Sequence, residues 1–480
     1  MNHFPALYLN TYNFHEVKTP DRSTLFHIPT SAMFRLDRIG RAVLDYLKEK
    51  NVVSAHDIEN EFHDGSRGTP EEISAVLSDF QDLAILSPDE PKPDAGMKFL
   101  IRDFPINTIV LNVNTGCNLS CTYCYKEDLA VPSKGEKMQF ETAKKSIDLV
   151  LAEGAQNERI NVVFFGGEPL TNMRLIKQAV QYAEERCAEL GKRVDFTMTT
   201  NATLLTEEIV DYLDEHHFGI SISMDGPEAV HDRRRKTVGG TGTYTTVAKK
   251  ARMLLERYRS RAVGARVTLT AGYTDVVAIH HHLKNELGFA EVGFAPATSG
   301  PISTFNLDAT ELRAVFDNMR TLGLEYRDAA LEGKNTGFSN MHQMMSDLYE
   351  GRRKALPCGA GIGLLAVDKK GDLNLCHRFT GSEMPTFGNV QQGIDKAALG
   401  TFLEGALDRS GKGCSTCRIR NLCAGGCYHE SYAHFSDPLS PTYHYCDLMR
   451  EWVDFGMEIY NEIIGKNPRF FGDHIATRSH

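Results

Sequence analysis

The spacing of apolar and polar positions changes along the chain. In residues 1–90, short apolar runs near Ala6–Tyr12 and Thr24–Ile28 predict strands, and apolar residues at helical spacing predict a helix over Arg38–Lys48. Ser54 is placed to cap a short helix that ends at Phe62, and Thr69 begins a capping box with proline at the first helical position. Two or three strands with three short helices predict a winged-helix-like shape.

From Phe99 onward, apolar runs alternate regularly with amphipathic segments. Six such repeats predict an α/β fold whose parallel strands curl into a partial (β/α)6 barrel, with its chemistry at the carboxyl ends of the strands. The predicted strands are Thr108–Asn114, Asn161–Phe165, Asp195–Thr200, Gly219–Met224, Ala262–Thr270 and Glu291–Ala297. The predicted helices include Phe140–Ala152, Arg174–Leu190, Glu207–His216, Tyr244–Tyr258 and Ala309–Leu331, the last with a capping box at Asp308.

A proline-rich stretch, Ser87–Gly96, separates these two parts and is typical of a linker. We therefore expect an N-terminal domain over 1–90, a linker over 91–98 and a barrel over 99–335. A cysteine-rich domain is expected over 336–450. A C-terminal helix, Met449–Ile464, should bury Trp452 and lead into a tail to which no role is assigned.

Composition narrows the function classes. Among 480 residues, 63 are acidic and 53 basic, which gives a net charge of −10 and disfavours nucleic-acid binding. No apolar run is long enough to span a membrane, and the first residues lack the layout of a signal peptide, so we expect a cytoplasmic protein. Eleven cysteines in such a chain indicate metal or redox use rather than disulfides, although Cys187, alone on a predicted helix, is expected to be a packed thiol.

Three cysteines, Cys117, Cys121 and Cys124, directly follow the first predicted barrel strand. Four thiolates would complete the coordination of a [4Fe–4S] cluster, whereas three leave one iron open. A zinc site would need a fourth protein ligand, which this loop lacks. Three buried cysteines without metal are the remaining alternative.

The spacing of these cysteines, with Tyr123 before the third, resembles that of radical S-adenosylmethionine (SAM) enzymes, in which SAM fills the open iron. The ends of the following strands also resemble that family. Phe164-Phe-Gly-Gly-Glu-Pro169 is similar to its Gly-Gly-Glu-Pro motif, and Ser221–Pro227 is similar to its Ser-x-Asp-Gly-Pro stretch. Arg266 on the fifth strand offers a fork suited to the SAM carboxylate. The resemblance implies that the SAM-binding residues are Tyr123, Gly166, Gly167, Glu168, Asn201, Ser223 and Arg266.

Seven more cysteines lie between Cys358 and Cys446. A zinc knuckle would explain part of the series, but the whole series resembles the SPASM extension of radical SAM enzymes, which binds two auxiliary [4Fe–4S] clusters. The resemblance implies three [4Fe–4S] clusters in all. It assigns Cys358, Cys376 and Cys427 to one auxiliary cluster with an open iron, and Cys414, Cys417, Cys423 and Cys446 to the other.

Two departures separate the chain from the sulfatase-maturing members of this family. Those members have a further cysteine a few residues after the position of Cys358, and an aspartate acting as base where His377 stands. An auxiliary cluster with an open iron resembles instead that of the maturases that form thioether crosslinks. The chain is most similar there to maturation proteins of quinohemoprotein amine dehydrogenase, which implies bonds from cysteine sulfur to Asp or Glu methylene carbons in a small subunit. Asp225 and His377 are the candidate catalytic residues near the substrate.

The N-terminal domain has two interpretations. Winged helices often bind DNA, but the acidic Asp57–Asp64 segment disfavours phosphate contact. Placed before a radical SAM core, the domain resembles a precursor-recognition domain, in which a leader peptide adds a strand to a sheet edge. We therefore expect a precursor peptide to bind residues 1–90 and the barrel mouth, and an electron donor such as flavodoxin or ferredoxin to supply electrons.

Three hypotheses follow, in descending order: a thioether-forming peptide maturase, another radical SAM/SPASM peptide modification, and a non-catalytic iron–sulfur carrier or scaffold. The other SPASM modifications include carbon–carbon crosslinking, epimerisation and sulfatase-type oxidation. Two runs of basic residues are assigned no role in any of these hypotheses. The three histidines of Ile279–His282 are expected on a solvated helix face, and Arg233–Lys236 is expected in a surface loop.

Overall fold

The computed structural model describes residues 6–19, 22–94, 104–124, 135–297, 304–410, 413–440 and 444–475. The strands within these ranges are β1 (Leu7–Leu9), β2 (Phe14–Thr19), β3 (Arg22–His27), β4 (Ala32–Leu36), β5 (Val52–Val53), β6 (Leu86–Ser87), β7 (Thr108–Asn112), β8 (Arg159–Phe165), β9 (Arg193–Thr200), β10 (Gly219–Ser223), β11 (Gly264–Leu269), β12 (Glu291–Pro296), β13 (Leu364–Val367), β14 (Leu373–Asn374), β15 (Gly388–Asn389) and β16 (Gly393–Ile394).

The helices in the same ranges are α1 (Arg38–Lys50), α2 (Ala55–Glu61), α3 (Pro70–Asp82), α4 (Phe140–Glu153), α5 (Met173–Glu189), α6 (Glu207–Glu215), α7 (Glu228–Arg234), α8 (Tyr244–Arg257), α9 (Val276–His281), α10 (Ala309–Leu331), α11 (Ser339–Tyr349), α12 (Lys396–Leu407), α13 (Arg420–Cys423), α14 (Tyr428–Phe435), α15 (Cys446–Lys466) and α16 (Arg469–His474). A 3₁₀ turn, Pro169–Asn172, precedes α5, and a π-helical stretch, His282–Glu286, follows α9. No described helix combines the length and apolar composition needed to cross a membrane.

A sheet of eight strands organises the larger part of the molecule, in the order β12-β11-β10-β9-β8-β7-β13-β14. Strands β7 to β12 are parallel neighbours in chain order, β13 joins parallel to β7, and β14 pairs antiparallel with β13. The predicted α/β fold with a central parallel sheet is confirmed. Strands β13 and β14 were not predicted from the sequence, because runs of four and two residues carry too little periodicity to be distinguished from loop.

Alternation along each strand separates an apolar face from a more open one. On β8, Ile160, Val162 and Phe164 are buried against the flanking helices, whereas Asn161 and Val163 on the opposite face are only partly buried. Such alternation is imposed by the period of two along a strand. The partly buried face is therefore the side of the sheet on which polar groups and ligands find space.

Long helices close the structure beyond the sheet. The capping box at Asp308 is present, and α10 packs along α15. Trp452 of α15 is buried and contacts Phe316 and Phe338 edge-on. Cys187 is buried on α5, so both single-residue packing predictions are confirmed.

The N-terminal residues form two small sheets, with orders β2-β3-β4 and β5-β1-β6, around α1, α2 and α3. The side chains of Leu44, Ile58 and Phe80 lie in a core of their own, whereas Val17 and Phe26 pack into the core of the larger part. The sheet β2-β3-β4 therefore packs against both cores. The predicted domain boundaries stay predictions, and residues 95–98 of the linker and 476–480 of the tail lie outside the described residues.

Two predictions for basic runs are wrong. His280 and His282 are buried and His281 is partly exposed, because the run spans the end of α9, where His280 packs against Phe338. In the second run, Arg235 is almost fully buried and pairs with Asp225, because the chain turns inward directly after α7.

Candidate active site

The loop that carries the first three cysteines begins where β7 ends, at the carboxyl edge of the sheet. Asn114 fixes its entry: the side-chain amide donates to the carbonyl of Gly116 at 2.9 Å and accepts the amide of Gly116 at 3.1 Å. The same amide donates to Thr171 Oγ1 at 2.6 Å. A buried polar residue satisfied in this way determines the path of the loop.

Cys117, Cys121 and Cys124 are close enough to influence one another electrostatically. Burial, with a smaller contribution from neighbouring cysteines, raises the pKa of Cys117 to about 12 and that of Cys121 to about 11. Two N–H donors face one of the sulfurs: the amide of Leu119 lies 3.4 Å from Cys117 Sγ and Asn201 Nδ2 lies 3.8 Å from it. Three thiols, one of them with N–H donors directed at it, fit an iron–sulfur cluster, whose thiolate ligands commonly accept such bonds.

No set of three or more His, Cys, Asp or Glu side chains in the described ranges is arranged to hold a single metal ion. In a [4Fe–4S] cluster each thiolate binds a different iron, so its cysteines are spaced around a larger body than one ion. Three cysteine thiols in one loop fit the ligand set of such a cluster.

The two glycines after β8 pack against the cysteine loop. A Cβ on Gly167 would lie 2.0 Å from the carbonyl oxygen of Gly116, and one on Gly166 would lie 2.4 Å from that of Asn114. Gly166 also has a φ of 143°, which side chains disfavour. The sequence predicted close approach of these glycines to a ligand; the structure shows close approach to the loop itself, joined by a bond of 2.7 Å from the Gly167 amide to the Asn114 carbonyl.

Glu168 follows these glycines and is buried. Its carboxylate accepts the amide of Asn201 at 2.8 Å, the Thr200 hydroxyl at 2.6 Å and the amide of Leu170 at 3.1 Å. Burial raises the pKa of Glu168 to about 6, although these bonds oppose the shift. A carboxylate has about four acceptor sites, so one remains for a cation.

Tyr123, Asp225 and Arg235 form a buried network beside the same loop. The Tyr123 hydroxyl donates to Asp225 Oδ2 at 2.8 Å, and Arg235 Nε donates to the same oxygen at 2.9 Å. Asp225 Oδ1 accepts the amide of Thr268 at 3.0 Å. Both oxygens of Asp225 are therefore held by the protein, and burial with the nearby Arg235 charge lowers the pKa of His231 behind it to about 4.

Two other predicted SAM-binding residues lie apart from this network. Ser223 ends β10 and is paired in register with Arg266 on β11. The Arg266 side chain is exposed and extends across β12, where a Cβ on Gly293 would lie 2.5 Å from its guanidinium nitrogen. Among the described residues, no hydrogen bond joins Arg266 to Glu168 or the cysteine loop. It lines instead a cavity of about 560 Å³ that also includes Glu291 and His342.

The other seven predicted ligands form two groups. Electrostatic coupling links Cys358 to Cys376 and Cys427, and it links Cys423 to Cys414, Cys417 and Cys446. The predicted sets of three and four are thus the sets that the fold brings together. In the first group, Cys358 is exposed.

The group of three lies beside the carboxyl edge of the sheet. The ring of His377, which follows Cys376, is 4.3 Å from the ring of Phe165 at the end of β8. The Asn112 side chain at the end of β7 donates to Thr380 Oγ1 at 2.9 Å, and Thr380 Oγ1 donates to the His377 carbonyl at 3.1 Å. The segment after Cys376 therefore touches the strand ends from which the first cysteine loop begins.

Comparison with known families identifies the segment that carries the first cysteine loop. Residues 111–281 match the family model of the Radical SAM superfamily. This segment is a radical SAM domain. It contains the first cysteine loop, Glu168, Asn201 and the Tyr123–Asp225–Arg235 network, so the geometry described above belongs to that domain.

Alignments with individual relatives cover more of the chain than the family model does. A cysteine-type anaerobic sulfatase-maturating enzyme of Clostridium perfringens is 23% identical over 73% of this chain and 96% of its own length. The radical SAM cyclopropyl synthase TigE of Paramaledivibacter caminithermalis is 27% identical over 52% of this chain and 54% of its own length, so the chain spans about half of that relative.

Among solved structures, native anSMEcpe with bound AdoMet and the Cp18Cys peptide shares the fold, with a TM-score of 0.59. Its identity is 18%, and the alignment covers 76% of this chain and 98% of that one. The narrower resemblance to quinohemoprotein amine dehydrogenase maturation proteins is not confirmed by these matches.

Arg235 is the residue of the radical SAM domain that sequence reasoning missed. The only signal for it was a run of four basic residues, and nothing in that run distinguishes the one that turns inward. His231 and Thr268, which support Asp225, were also missed, because their positions in the sequence do not show that the fold brings them to Asp225.

Proposed function

We propose that the chain is a radical SAM enzyme that modifies a ribosomally made peptide by forming thioether bonds from cysteine sulfur to a methylene carbon of Asp or Glu. The single observation that carries the proposal is the unequal division of the C-terminal cysteines. Three of them, Cys358, Cys376 and Cys427, lie together beside the barrel mouth, and the other four form a separate group. A cluster held by three thiolates leaves one iron for a substrate thiolate.

The residues fit the cofactors that this proposal needs, three [4Fe–4S] clusters and SAM. When bound at the loop, a [4Fe–4S] cluster with SAM supplies a 5′-deoxyadenosyl radical that abstracts hydrogen from carbon. Cys117, Cys121 and Cys124 would hold that cluster. The two C-terminal groups would hold the others.

The chain's own residues orient SAM. Glu168 presents a buried carboxylate, fixed by three donors, to the SAM ammonium group. Arg266 and Ser223, neighbours in register, face the open side of the sheet and would approach the SAM carboxylate. The Arg266 side chain would have to move away from Gly293 to reach the SAM carboxylate.

The substrate cysteine would bind beside Cys358, which is the exposed member of the three. Holding the sulfur there would fix it relative to the strand ends, because the His377–Thr380 segment accepts a hydrogen bond from the end of β7 and makes a ring contact with the end of β8. Fixing both reactants in one geometry is the main contribution that a protein makes to such a step. His377 lies in this segment, whereas Asp225 lies beside the first cysteine loop, where its two bonded oxygens favour a positioning role over that of a base.

The peptide leader would bind at the β4 edge of the N-terminal sheet. In the part of the chain that the structure describes, no strand pairs with the outer edge of β4, whereas β2 at the other edge of the sheet faces α15, where His15 pairs with Asp454 at 3.1 Å. Phe34 on β4 is exposed. An unpaired edge with an apolar side chain suits addition of a peptide strand.

Sulfatase-type oxidation is the second candidate. It is favoured by the alignment with the Clostridium perfringens enzyme, which covers 96% of that protein. The two reactions make different products, since oxidation of a peptide cysteine or serine to an aldehyde leaves no link between residues.

The test is mass spectrometry of a precursor co-expressed without oxygen, using a small Cys-, Asp- and Glu-rich reading frame beside the gene. Thioether formation removes two hydrogens for each bond and leaves that cysteine unreactive to iodoacetamide. Fragmentation should fail to cleave between the joined residues. An electron donor such as flavodoxin or ferredoxin must be present.

Two variants serve as controls in this test, one expected to be inactive and one expected to be active. Cys124→Ala should abolish the product, because the loop then lacks a ligand. Cys187→Ala, at the buried cysteine outside all three groups, should leave the product unchanged. A product with the same mass loss but a free thiol would refute thioether formation, and an aldehyde would favour the sulfatase-type reaction.

A further inference from the structure

Arg235 is a buried cation beside the first cysteine loop. The residues that orient SAM and the substrate sulfur in the proposed function do not include it. We infer that Arg235 is a positioning residue that holds a positive charge against the loop and thereby raises the reduction potential of the cluster bound there. The inference rests on the proposed function, since it concerns the cluster held by Cys117, Cys121 and Cys124.

The backbone around Arg235 is fastened to the loop on both sides. The amide of Thr122 donates to the Arg234 carbonyl at 3.0 Å, and the amide of Ser120 donates to the Lys236 carbonyl at 2.8 Å. An antiparallel bridge joins Leu119 to Thr237. The segment 234–237 therefore runs along the loop as a short strand, which fixes the point from which the Arg235 side chain leaves.

The Arg235 side chain is held by two members of the network. Its Nε donates to Asp225 Oδ2 at 2.9 Å, and its guanidinium lies 5.3 Å from the centre of the Tyr123 ring. Its positive charge lies close enough to Cys121 to oppose the rise that burial causes in the pKa of that thiol. The side chains of Arg235 and Asp225 are 9% and 4% exposed, so water screens their charges little.

These contacts place opposing charges around the cluster site. Reduction adds one electron from an external one-electron donor and takes the cluster core from 2+ to 1+, so the site becomes more negative by one charge. A buried cation close to a ligand sulfur stabilises the reduced form, and a buried anion destabilises it. Arg235 and Asp225 should therefore shift the potential in opposite directions, and their ion pair sets the balance.

The experiment measures the midpoint potential of the cluster by dithionite titration of the full-length protein with EPR detection. The cluster of the loop is identified as the signal that changes when SAM is added. Arg235→Gln should shift the midpoint to a more negative potential, whereas Arg235→Lys, which keeps the charge, should shift it less. Asp225→Asn should shift it to a less negative potential. Arg233→Gln serves as control, because Arg233 is exposed on the same segment and bonds only to the Ala271 carbonyl among the described residues.

Opposite shifts for Arg235→Gln and Asp225→Asn at unchanged iron content support the inference, since a merely structural role would lower iron content without moving two midpoints apart. Unchanged midpoints, or shifts in the same direction, overturn it. If Arg235→Gln loses the cluster, Asp225→Asn decides: a less negative midpoint supports the inference and an unchanged one overturns it. A parent protein that shows no SAM-sensitive cluster would instead refute the proposed function.

Discussion

Glu168 shows how one residue's surroundings prepare it for a cation. Burial disfavours its charge, while three hydrogen bonds favour it, so its pKa of about 6 reflects two opposing effects. A bound ammonium group would tip this balance toward the ionised carboxylate.

Glu168→Gln should therefore weaken SAM binding, by about tenfold or more if a charged hydrogen bond of about 1.5–3 kcal/mol is lost. The side-chain NH2 of glutamine would also face one of the two donors, either Thr200 or Asn201, because they bond to different oxygens of Glu168. Equilibrium dialysis with labelled SAM under anaerobic conditions measures the effect. Glu185→Gln, on the exposed face of α5, is the control, and equal affinity in both variants would contradict the role assigned to Glu168.

At this scale, sequence reasoning was strong for cysteines and weak for the residues around them. The spacing of the cysteines, with their resemblance to known families, predicted the same sets that the fold brings together. The basic run Arg233–Lys236 and the histidines of Ile279–His282 were misplaced, because charge alone does not tell which member of a run faces inward. Only the turn after α7 and the packing of α9 decide it.

Strand β4 is the element on which peptide recognition depends. Backbone N–H groups of successive strand residues point to opposite edges, so one of Phe34 and Arg35 directs its N–H to β3 and the other to the open edge. The sequence predicted a strand near Thr24–Ile28 but not β2 or β4, whose short mixed runs resemble loop.

Proline at these two positions should separate binding from stability. The variant that removes the open-edge N–H should weaken binding of the precursor's leader and keep the thermal midpoint, because proline is tolerated at edges. The other variant should lose a ladder bond and about 1–3 kcal/mol of stability. Fluorescence anisotropy with a labelled leader and thermal unfolding measure both, and two variants that bind as well as the parent would refute docking at β4.

Helix α15 joins the N-terminal sheet to the second C-terminal cysteine group. Asp454 on this helix accepts Arg418 Nη2 at 2.6 Å and pairs with His15 Nε2 at 3.1 Å, and Arg418 follows Cys417. Burial raises the pKa of Asp454, but His15 and Arg418 lower it by more, so the pKa lies below its usual range.

Asp454→Asn should therefore destabilise the fold by about 1–3 kcal/mol, since a half-buried charged network loses its anion. Hydrogen exchange should increase in β2 as well as in the Arg418 segment. Glu451→Gln, which breaks an exposed pair with Arg313 on the same helix, should change stability by less than about 1 kcal/mol. Faster exchange confined to α15 would argue against the link.

The whole molecule places two kinds of cysteine site at one edge of one sheet. The loop after β7 holds one group of three, and the segment that carries His377 brings a second group of three to the ends of β7 and β8. The alternating pattern predicted the central sheet well, because six long repeats average out local ambiguity. It missed β13 and β14, the short strands that lead to Cys376, because tertiary pairing rather than local periodicity creates them.

We propose that one group of three cysteines generates the radical and that the other holds the substrate sulfur. Cys358→Ala separates these two roles when 5′-deoxyadenosine and crosslinked precursor are quantified in the same anaerobic reaction. This variant should still form 5′-deoxyadenosine, because Cys117, Cys121 and Cys124 are intact, and it should form no thioether. Thioether formation at the parental level in Cys358→Ala would refute the role assigned to the second group.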